Sequence, residues 1–232
     1  MRILITRPAE DGAEIAARLA GLGHQGMVAP LLVPRYGQGP APDLSGVQAV
    51  LITSANGVRA LARATARRDL PVFAVGPQTS AQALRAGFGD VRNADGDAHA
   101  LARCARQWAA PDKGPLLHVC STQAPGTLAA LLQDAGFCVR RAPLYRIEAA
   151  ADLPDAVLQA LRGGHLDAAM FFSPRSAAVF RDCLQRHDGA LAGPLAALCI
   201  SAPTAAALAP LAFAAVRIAE RPNQDAMLAL VA

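Results

Sequence analysis

Four short turns rich in hydroxyl side chains stand directly after continuous hydrophobic runs of the sequence. They read TSANG at residues 53–57, GPQTS at 76–80, SPRS at 173–176 and SAPT at 201–204. Ser and Thr at such positions cap a helix, because they accept hydrogen bonds from its first N–H groups. One such turn needs no further explanation, whereas four of them would offer N–H donors and hydroxyls to a ligand that carries several carboxylates.

The sequence does not support several other kinds of site. No Gly-x-Gly-x-x-Gly follows the first hydrophobic run and no Gly-Lys-Ser/Thr occurs anywhere, so the usual nucleotide-binding loops are not expected. No Ser lies in a Gly-x-Ser-x-Gly motif. The five cysteines and five histidines do not have the spacing of metal ligands. We therefore expect no metal, no organic cofactor and reduced thiols.

The charge of the chain is mildly positive, with a formal net charge of +4. The longest basic runs are the pairs at 67–68 and 140–141, and aromatic residues make up only 4%, so we expect no nucleic-acid partner. The surplus suits a small polyanion, or it serves solubility alone. No apolar run reaches the roughly 18 residues of a spanning helix, and the first residues are typical of a strand rather than a secretory signal. We expect a soluble, cytoplasmic protein.

Six continuous hydrophobic runs predict strands that are covered on both faces of parallel sheets. They are residues 3–6, 50–53, 72–75, 116–120, 169–172 and 197–200. Between them, hydrophobic residues at helical spacing, such as Ile15, Leu19 and Leu22, predict helices. Alternation of strands and helices is typical of doubly wound α/β sheets, whose ligands bind beyond the carboxyl ends of the strands. The hydroxyl-rich turns stand at those ends.

The sequence also repeats itself. Residues 2–35 align with 115–148, residues 49–56 with 168–175, and residues 71–98, less tightly, with 196–226. The repeat predicts two doubly wound domains that arose by internal duplication. A stretch at 33–45, with Pro34, Gly37, Gly39, Pro40 and Pro42, predicts a linker, and 144–152 predicts its counterpart in the second half.

Seven landmarks in order resemble those of the uroporphyrinogen-III synthase family. They are Ile-Thr-Arg-Pro at the start, Thr-Ser-Ala-Asn-Gly-Val, Val-Gly-Pro-Gln-Thr, Leu-Tyr-Arg, Phe-Phe-Ser-Pro-Arg-Ser, Ala-Pro-Thr-Ala and a closing element with Pro222, Ala226 and Leu228. The resemblance extends from Arg2 to about Leu230. Each motif alone is weak, and their order makes the resemblance specific.

The resemblance implies two doubly wound parallel-sheet domains joined by a two-stranded connector, with an active site that both domains line. One domain is then discontinuous and comprises residues 1–33 plus 149–232. The other comprises residues 38–144, and the connector segments are 34–37 and 145–148. Sequence alone would instead divide the chain near residue 114.

The activity that the resemblance implies is the cyclisation of hydroxymethylbilane, a linear tetrapyrrole with eight carboxylates, to uroporphyrinogen III. The last pyrrole ring is inverted and water is lost, without metal or organic cofactor. The resemblance further implies a monomer that receives its substrate from the preceding deaminase, with no membrane and no nucleic acid as partners.

Tyr145 is implied by the resemblance as the proton donor to the departing hydroxyl. A phenol, with a pKa of about 10, is protonated at neutral pH and can donate. The alternative is an aromatic side chain packed at a domain junction. The expected substrate-binding residues are Arg7, Thr53, Ser54, Asn56, Gly76, Gln78, Thr79, Ser121, Thr122, Ser173, Pro174, Arg175, Ser176, Ser201 and Thr204. For the two arginines, a solvated surface role is an equal alternative.

Two departures from the family pattern bear on the site. Many members carry a basic residue in the loop that here reads STQAPG at 121–126, without charge. Gly87, which ends one helix, has Ala212 as its repeat partner, and Pro210 is expected to shorten that second helix. Two alternatives remain. One is a two-domain protein that binds a carboxylated small molecule without chemistry, and the other is an inactive relative of the synthases, which the uncharged loop favours.

Overall fold

The hydrophobic runs form the strands of two sheets in a computed structural model that describes residues 1–37 and 40–231. All six predicted strands are present, each within one residue of its expected ends. The strands are β1 (Arg2–Ile5), β2 (Gln25–Val28), β3 (Leu32–Tyr36), β4 (Ala49–Ile52), β5 (Val72–Ala74), β6 (Val91–Asn93), β7 (Leu116–Ser121), β8 (Val139–Ala149), β9 (Ala168–Phe171), β10 (Ala196–Cys199) and β11 (Ala215–Ile218).

Helices alternate with these strands, as the spacing of hydrophobic residues predicts. They are α1 (Ala9–Gly21), α2 (Ala55–Ala64), α3 (Pro77–Arg85), α4 (Ala98–Trp108), α5 (Thr127–Gln133), α6 (Asp155–Arg162), α7 (Pro174–His187), α8 (Ala202–Ala206) and α9 (Gln224–Ala229). Helix α8 has five residues and its repeat partner α3 has nine, which confirms the expected shortening. Within the described part of the chain, no helix is long and apolar enough to cross a membrane.

The chain divides into two compact units, which are described separately. Unit 1 comprises Met1–Val33 and Glu148–Ala232, and unit 2 comprises Pro34–Ile147. The sheet of unit 1 has the order β11-β10-β9-β1-β2, and its pairs are parallel. The second sheet has the order β3-β8-β7-β4-β5-β6, and its pairs from β8 to β6 are parallel.

The two sheets share one strand order, in agreement with the internal repeat. From one edge, unit 1 has β11, β10, β9, β1 and β2, and unit 2 has their repeat partners β6, β5, β4, β7 and β8 in the same positions. The block β1-α1-β2 of the first half therefore completes the sheet of the second half. The block β7-α5-β8 completes the sheet of the first half in the same way.

Each sheet is covered on both faces, which explains its uninterrupted hydrophobic strands. Successive side chains of a strand point to opposite faces. In unit 1, Leu4 packs in one core cluster while Ile3 and Ile5 pack in the other. In unit 2, Val50 and Ile52 lie in one cluster while Ala49 and Leu51 lie in the other.

The prediction of linkers at 33–45 and 144–152 is wrong in part, because β3 occupies residues 33–36 of the first segment and β8 occupies 144–149 of the second. The amide of Gly37 donates to the carbonyl of Leu144 at 3.2 Å, and that of Ala150 donates to the carbonyl of Leu31 at 2.9 Å. The linker was predicted because the segment contains Pro34, but a proline is tolerated in an edge strand such as β3. Gly39, and the expected domain limits at 38 and 232, lie outside the described residues.

Candidate active site

Ser54 opens helix α2 at the carboxyl end of β4. Its backbone is extended, and its Oγ accepts a hydrogen bond from the Gly57 amide at 3.2 Å, so it caps the helix as expected. The turn is tight, because a Cβ on Gly57 would lie 2.8 Å from Cγ2 of Ile52. The neighbouring Thr53 and Asn56 are half-buried, so their polar groups can reach a ligand.

Tyr145 lies on β8 and its phenol reaches the same turn. Its Oη is 2.9 Å from Ser54 Oγ, and either hydroxyl can be the donor. The side chain is 6% exposed. Burial raises the pKa of the phenol above its usual value, and the hydrogen bond to Ser54 opposes this only in part. Tyr145 is therefore protonated at neutral pH.

A second tyrosine, Tyr36, lies on β3 next to β8 and contacts the same turn. Its hydroxyl donates to Oδ1 of Asn56 at 3.2 Å, and its ring centroid is 6.4 Å from that of Tyr145. The guanidinium of Arg63 lies over the Tyr36 ring at 4.2 Å. The turn at 53–57 is thus hydrogen-bonded by two phenols, one from each of two adjacent strands.

Arg59 is a buried arginine on α2, with 8% exposure. Its Nη1 donates to Asn56 Oδ1 at 3.1 Å, and its Nη2 is 3.5 Å from Oε1 of Gln82 on α3. Sequence reasoning missed Tyr36, Arg59 and Gln82. The spacing of Asn56 and Arg59 could have indicated their contact, because residues three apart in a helix lie on one face.

The turn after β5 presents backbone donors. Gly76 precedes α3 with an extended backbone, Pro77 occupies its first turn, and no side chain of the described residues caps this end. Thr79 is buried at 5% exposure, whereas Gln78 is exposed. The amides of this turn and the side chain of Gln78 are therefore the groups that a ligand can meet.

The uncharged loop after β7 is bound to the strand that carries Tyr145. The Thr122 amide donates to the carbonyl of Tyr145 at 2.8 Å, and the Ile147 amide is 3.4 Å from Oε1 of Gln123. Ser121 pairs with Tyr145 across an irregularity in the strand register. The structure therefore places Ser121 and Thr122 near Tyr145, at the same sheet edge as the turn at 53–57.

In unit 1, Ser173 opens α7 at the carboxyl end of β9. Its Oγ accepts from the Ser176 amide at 3.1 Å and donates to Ser176 Oγ at 3.0 Å. Ser176 is 4% exposed and donates to the Ser173 carbonyl at 2.9 Å. Ser173 is half-buried, and Pro174 and Arg175 are exposed, so these three can reach a ligand more readily than Ser176.

The two strands that flank β9, β10 and β1, also lead into polar residues at their carboxyl ends. Beyond β10, Ser201 Oγ is 3.0 Å from Oγ1 of Thr204, which is fully buried. Beyond β1, Arg7 pairs with Asp11 at 2.8 Å and lies over the ring of Phe172 at 5.0 Å. The carboxylate of Asp11 already compensates much of the charge of Arg7.

One family model decides the assignment. The HEM4 model, described as uroporphyrinogen-III synthase HemD, matches residues 13–229. The chain belongs to the uroporphyrinogen-III synthase family. This confirms the resemblance drawn from the seven landmarks and makes the protein a uroporphyrinogen-III synthase, a cyclising lyase of tetrapyrrole and haem biosynthesis.

Solved uroporphyrinogen-III synthases share the fold. The enzyme from Helicobacter pylori is 17% identical with a TM-score of 0.65, over 100% of this chain and 98% of that chain. A mutant enzyme from the extremely thermophilic bacterium Thermus thermophilus is 19% identical with a TM-score of 0.54, over 100% and 97%. At these identities the likeness confirms the two-domain α/β fold. A comparison with curated protein sequences gives no match.

Within each unit of this synthase, the predicted residues gather at one sheet edge. In unit 2 they follow the adjacent strands β4, β5 and β7, and in unit 1 they follow β1, β9 and β10. Because all these strands are parallel to their neighbours, their carboxyl ends meet at the same edge. Thr79, Ser176 and Thr204 are buried there, so a ligand meets their neighbours first.

Proposed function

We propose that this uroporphyrinogen-III synthase uses Tyr145 and Ser54 together to protonate the departing hydroxyl of hydroxymethylbilane. The hydrogen bond of 2.9 Å between the two hydroxyls carries the proposal. Tyr145 is buried whereas Ser54 is half-buried, so a ligand reaches Ser54 first. The Ser54 hydroxyl would pass its proton to the substrate and take one from the phenol, which burial keeps protonated.

The proposed reaction conserves atoms and charge. The terminal C–O bond of the bilane breaks, the hydroxyl leaves as water with the donated proton, and the first ring becomes an electrophilic azafulvenium cation. The last ring attacks through its substituted carbon to give a spiro intermediate. That intermediate opens and closes again with the last ring inverted, and the proton lost on aromatisation restores the Tyr145–Ser54 pair.

The carboxylates of the substrate are proposed to bind at the carboxyl ends of the strands. In unit 2 the donors are the turn at 53–57, Gly76 with Gln78 and the backbone amide of Thr79, and Ser121 with Thr122. In unit 1 they are Arg7, the turn at 173–176, and Ser201, whose hydroxyl the buried Thr204 orients from behind. Hydrogen bonds to a charged acceptor contribute about 1.5–3 kcal/mol each. Several such bonds can select one folded form of the bilane over the form that closes without inversion.

The test is to supply enzymatically made hydroxymethylbilane to the pure protein and to separate the oxidised products into type I and type III isomers. Without enzyme the bilane closes spontaneously to type I, which provides the control. We expect type III to predominate. Only type I, in the amount that forms without protein, would refute catalysis. It would favour a simple binding protein or an inactive relative of the synthases, and the uncharged loop at 121–126 supports the second of these.

We further propose that the two units are domains with limits at 1–33 plus 149–232 and at 38–144, connected by 34–37 and 145–148. The protein is proposed to act as a cytoplasmic monomer that receives its bilane from the preceding deaminase. The structural support for the domain limits is that the chain passes between units 1 and 2 within β3 and β8. Sedimentation equilibrium at assay concentrations tests the monomer, and a concentration-dependent mass would contradict it.

A further inference from the structure

The orientation of the Asn56 side chain follows from its two hydrogen-bond partners. Nη1 of Arg59 lies 3.1 Å from Oδ1 of Asn56. A guanidinium donates only, so the atom that faces Arg59 must be the amide oxygen and not the nitrogen. The Tyr36 hydroxyl also donates to this oxygen, at 3.2 Å. Both lone pairs of Oδ1 are thereby used, and the carboxamide has a fixed orientation.

The Nδ2 group of Asn56 is the part left for a ligand. Among the described residues none accepts a hydrogen bond from it, and Asn56 is half-buried rather than enclosed. The side chain lies in the first turn of α2, three residues before Arg59 and two after Ser54, whose hydroxyl bonds to Tyr145. Asn56 can therefore only donate to a bound molecule, beside the proposed proton donor.

We infer that Tyr36 and Arg59 are positioning residues that turn the Asn56 amide into a dedicated donor for a substrate carboxylate. The inference rests on the proposed function, since it assigns an orientation to one of its carboxylate contacts. Tyr36 acts from β3 and Arg59 from α2, so two separate elements fix one amide. Neither side chain has to touch the substrate, and both act on its binding rather than on the chemical step.

The experiment is a double-mutant cycle on KM and kcat for type III formation, with Tyr36→Phe, Asn56→Ala and the double variant. Tyr36→Phe keeps the ring beneath Arg63 and removes one of the two donors to Oδ1. We expect it to raise KM about 3-fold with kcat unchanged, and Asn56→Ala to raise KM about 10-fold. The double variant should match Asn56→Ala, because without the amide the phenol has nothing to orient. An equal effect of Tyr36→Phe in both backgrounds, or none in either, would overturn the inference.

Asn56→Asp separates donation from structure. A carboxylate has the same shape and still accepts from Tyr36 and Arg59, so a merely structural role of Asn56 would survive. We expect instead a KM at least as high as that of Asn56→Ala, because the donor is lost and a charge repels the substrate. A KM equal to that of the native protein would contradict the inference. Arg59→Lys is a second probe should Tyr36→Phe fold poorly. Arg92→Lys, at a half-buried arginine on β6 that pairs with Asp90 at 3.2 Å, is its control and should leave KM unchanged.

A binding measurement keeps this inference separable from the proposed function. The same variants are titrated with uroporphyrin III, an octacarboxylate, and its fluorescence gives Kd. The cycle should show the same pattern in Kd as in KM. Type I alone from the native protein would refute the proposed catalysis while the Kd cycle still decides the role of Tyr36 and Arg59. An additive Kd cycle would refute that role even in a fully active enzyme.

Discussion

At the scale of single residues, the environment of the Tyr145 phenol is what suits it to donate a proton. It is buried, hydrogen-bonded to Ser54 and held in its neutral form by a raised pKa. A tyrosine that merely packed in the core would need only its ring. The hydroxyl is therefore the part whose removal distinguishes a chemical role from a structural one.

Tyr145→Phe is expected to lower kcat for type III formation by about 100-fold, in the range of general acid catalysis. KM should stay within about 2-fold, since the phenol lies behind Ser54 and does not meet a carboxylate. The rate of type III formation is measured under steady-state and single-turnover conditions. The Phe side chain retains the ring, so the packing around it is preserved. A variant with native kcat would remove Tyr145 from the proton path.

Activity of the native protein should not fall as pH rises from 7 to 9, because the phenol titrates above that range.

His118 provides a pH-dependent stability at the same scale. It lies in the middle of β7 with 2% exposure, and both ring nitrogens are buried without a hydrogen-bond partner among the described residues. Burial, assisted by the charge of Arg141, lowers its pKa to about 4. The unfolded chain, with a histidine pKa of about 6.5, binds the proton first, so the free energy of unfolding falls by about 3 kcal/mol as pH falls from 6.5 to 4.

His118→Leu should remove most of this slope and should not destabilise the protein at pH 7, because two buried nitrogens without partners are also removed. Urea unfolding at pH 7, 6, 5 and 4 measures the effect. His99→Gln, at an exposed histidine in α4, should leave the slope unchanged. If the His118→Leu protein loses stability with acid as steeply as the native one, the buried imidazole is not the cause.

At the scale of elements, the sequence predicted the buried strands well and the edge strands poorly. Residues 49–52 and 168–171 are hydrophobic throughout because both faces are covered, and a pattern of that kind is visible in sequence. Strand β3 reads LVPRY and contains a proline, so composition indicated a linker. Its pairing with β8 depends on contacts far apart in sequence, which local patterns do not contain.

In the candidate site, too, local contacts were predictable from the sequence and contacts between distant residues were not. Ser54 and Ser173 were predictable because capping is a local interaction within three residues. Tyr36 and Gln82 were not, since Tyr36 meets Asn56 across 20 residues and Gln82 meets Arg59 across 23. Burial of Thr79 and Thr204 was likewise invisible, because a hydroxyl in a turn looks the same in sequence whether it faces the core or the solvent.

The two serine caps give an element-scale prediction. Ser173→Ala removes the cap of α7 and is expected to lower the free energy of unfolding by about 1 kcal/mol. The buried Ser176 hydroxyl loses the bond from Ser173 Oγ but keeps the one that it donates to the Ser173 carbonyl. Ser54→Ala removes a cap and also the partner of a buried phenol, so about 2 kcal/mol is expected. Thermal or urea unfolding measures both. In the Tyr145→Phe background the two substitutions should cost nearly the same, and a difference that persists there would show that the phenol is not what distinguishes Ser54.

At the scale of the whole molecule, the two halves of the sequence repeat do not coincide with the two folded units. In each sheet, three consecutive strands come from one half of the sequence and a β-α-β block comes from the other. Strands β9, β10 and β11 therefore need β1 and β2, which are about 140 residues or more away in the chain. Unit 2, by contrast, is one continuous segment, Pro34–Ile147, with core clusters on both faces of its sheet.

The fragment 34–147 is accordingly expected to fold by itself, with a cooperative urea transition and native-like far-UV circular dichroism. The fragment 115–232, which is the second half of the repeat, lacks β1 and β2 and should remain largely unfolded or aggregate, because hydrophobic side chains of β9 lose their neighbouring strand. Adding the peptide 1–33 to a fragment that begins at residue 148 should restore cooperativity. A cooperative 115–232 together with an unfolded 34–147 would mean that the halves of the repeat, and not the exchanged blocks, are the folding units.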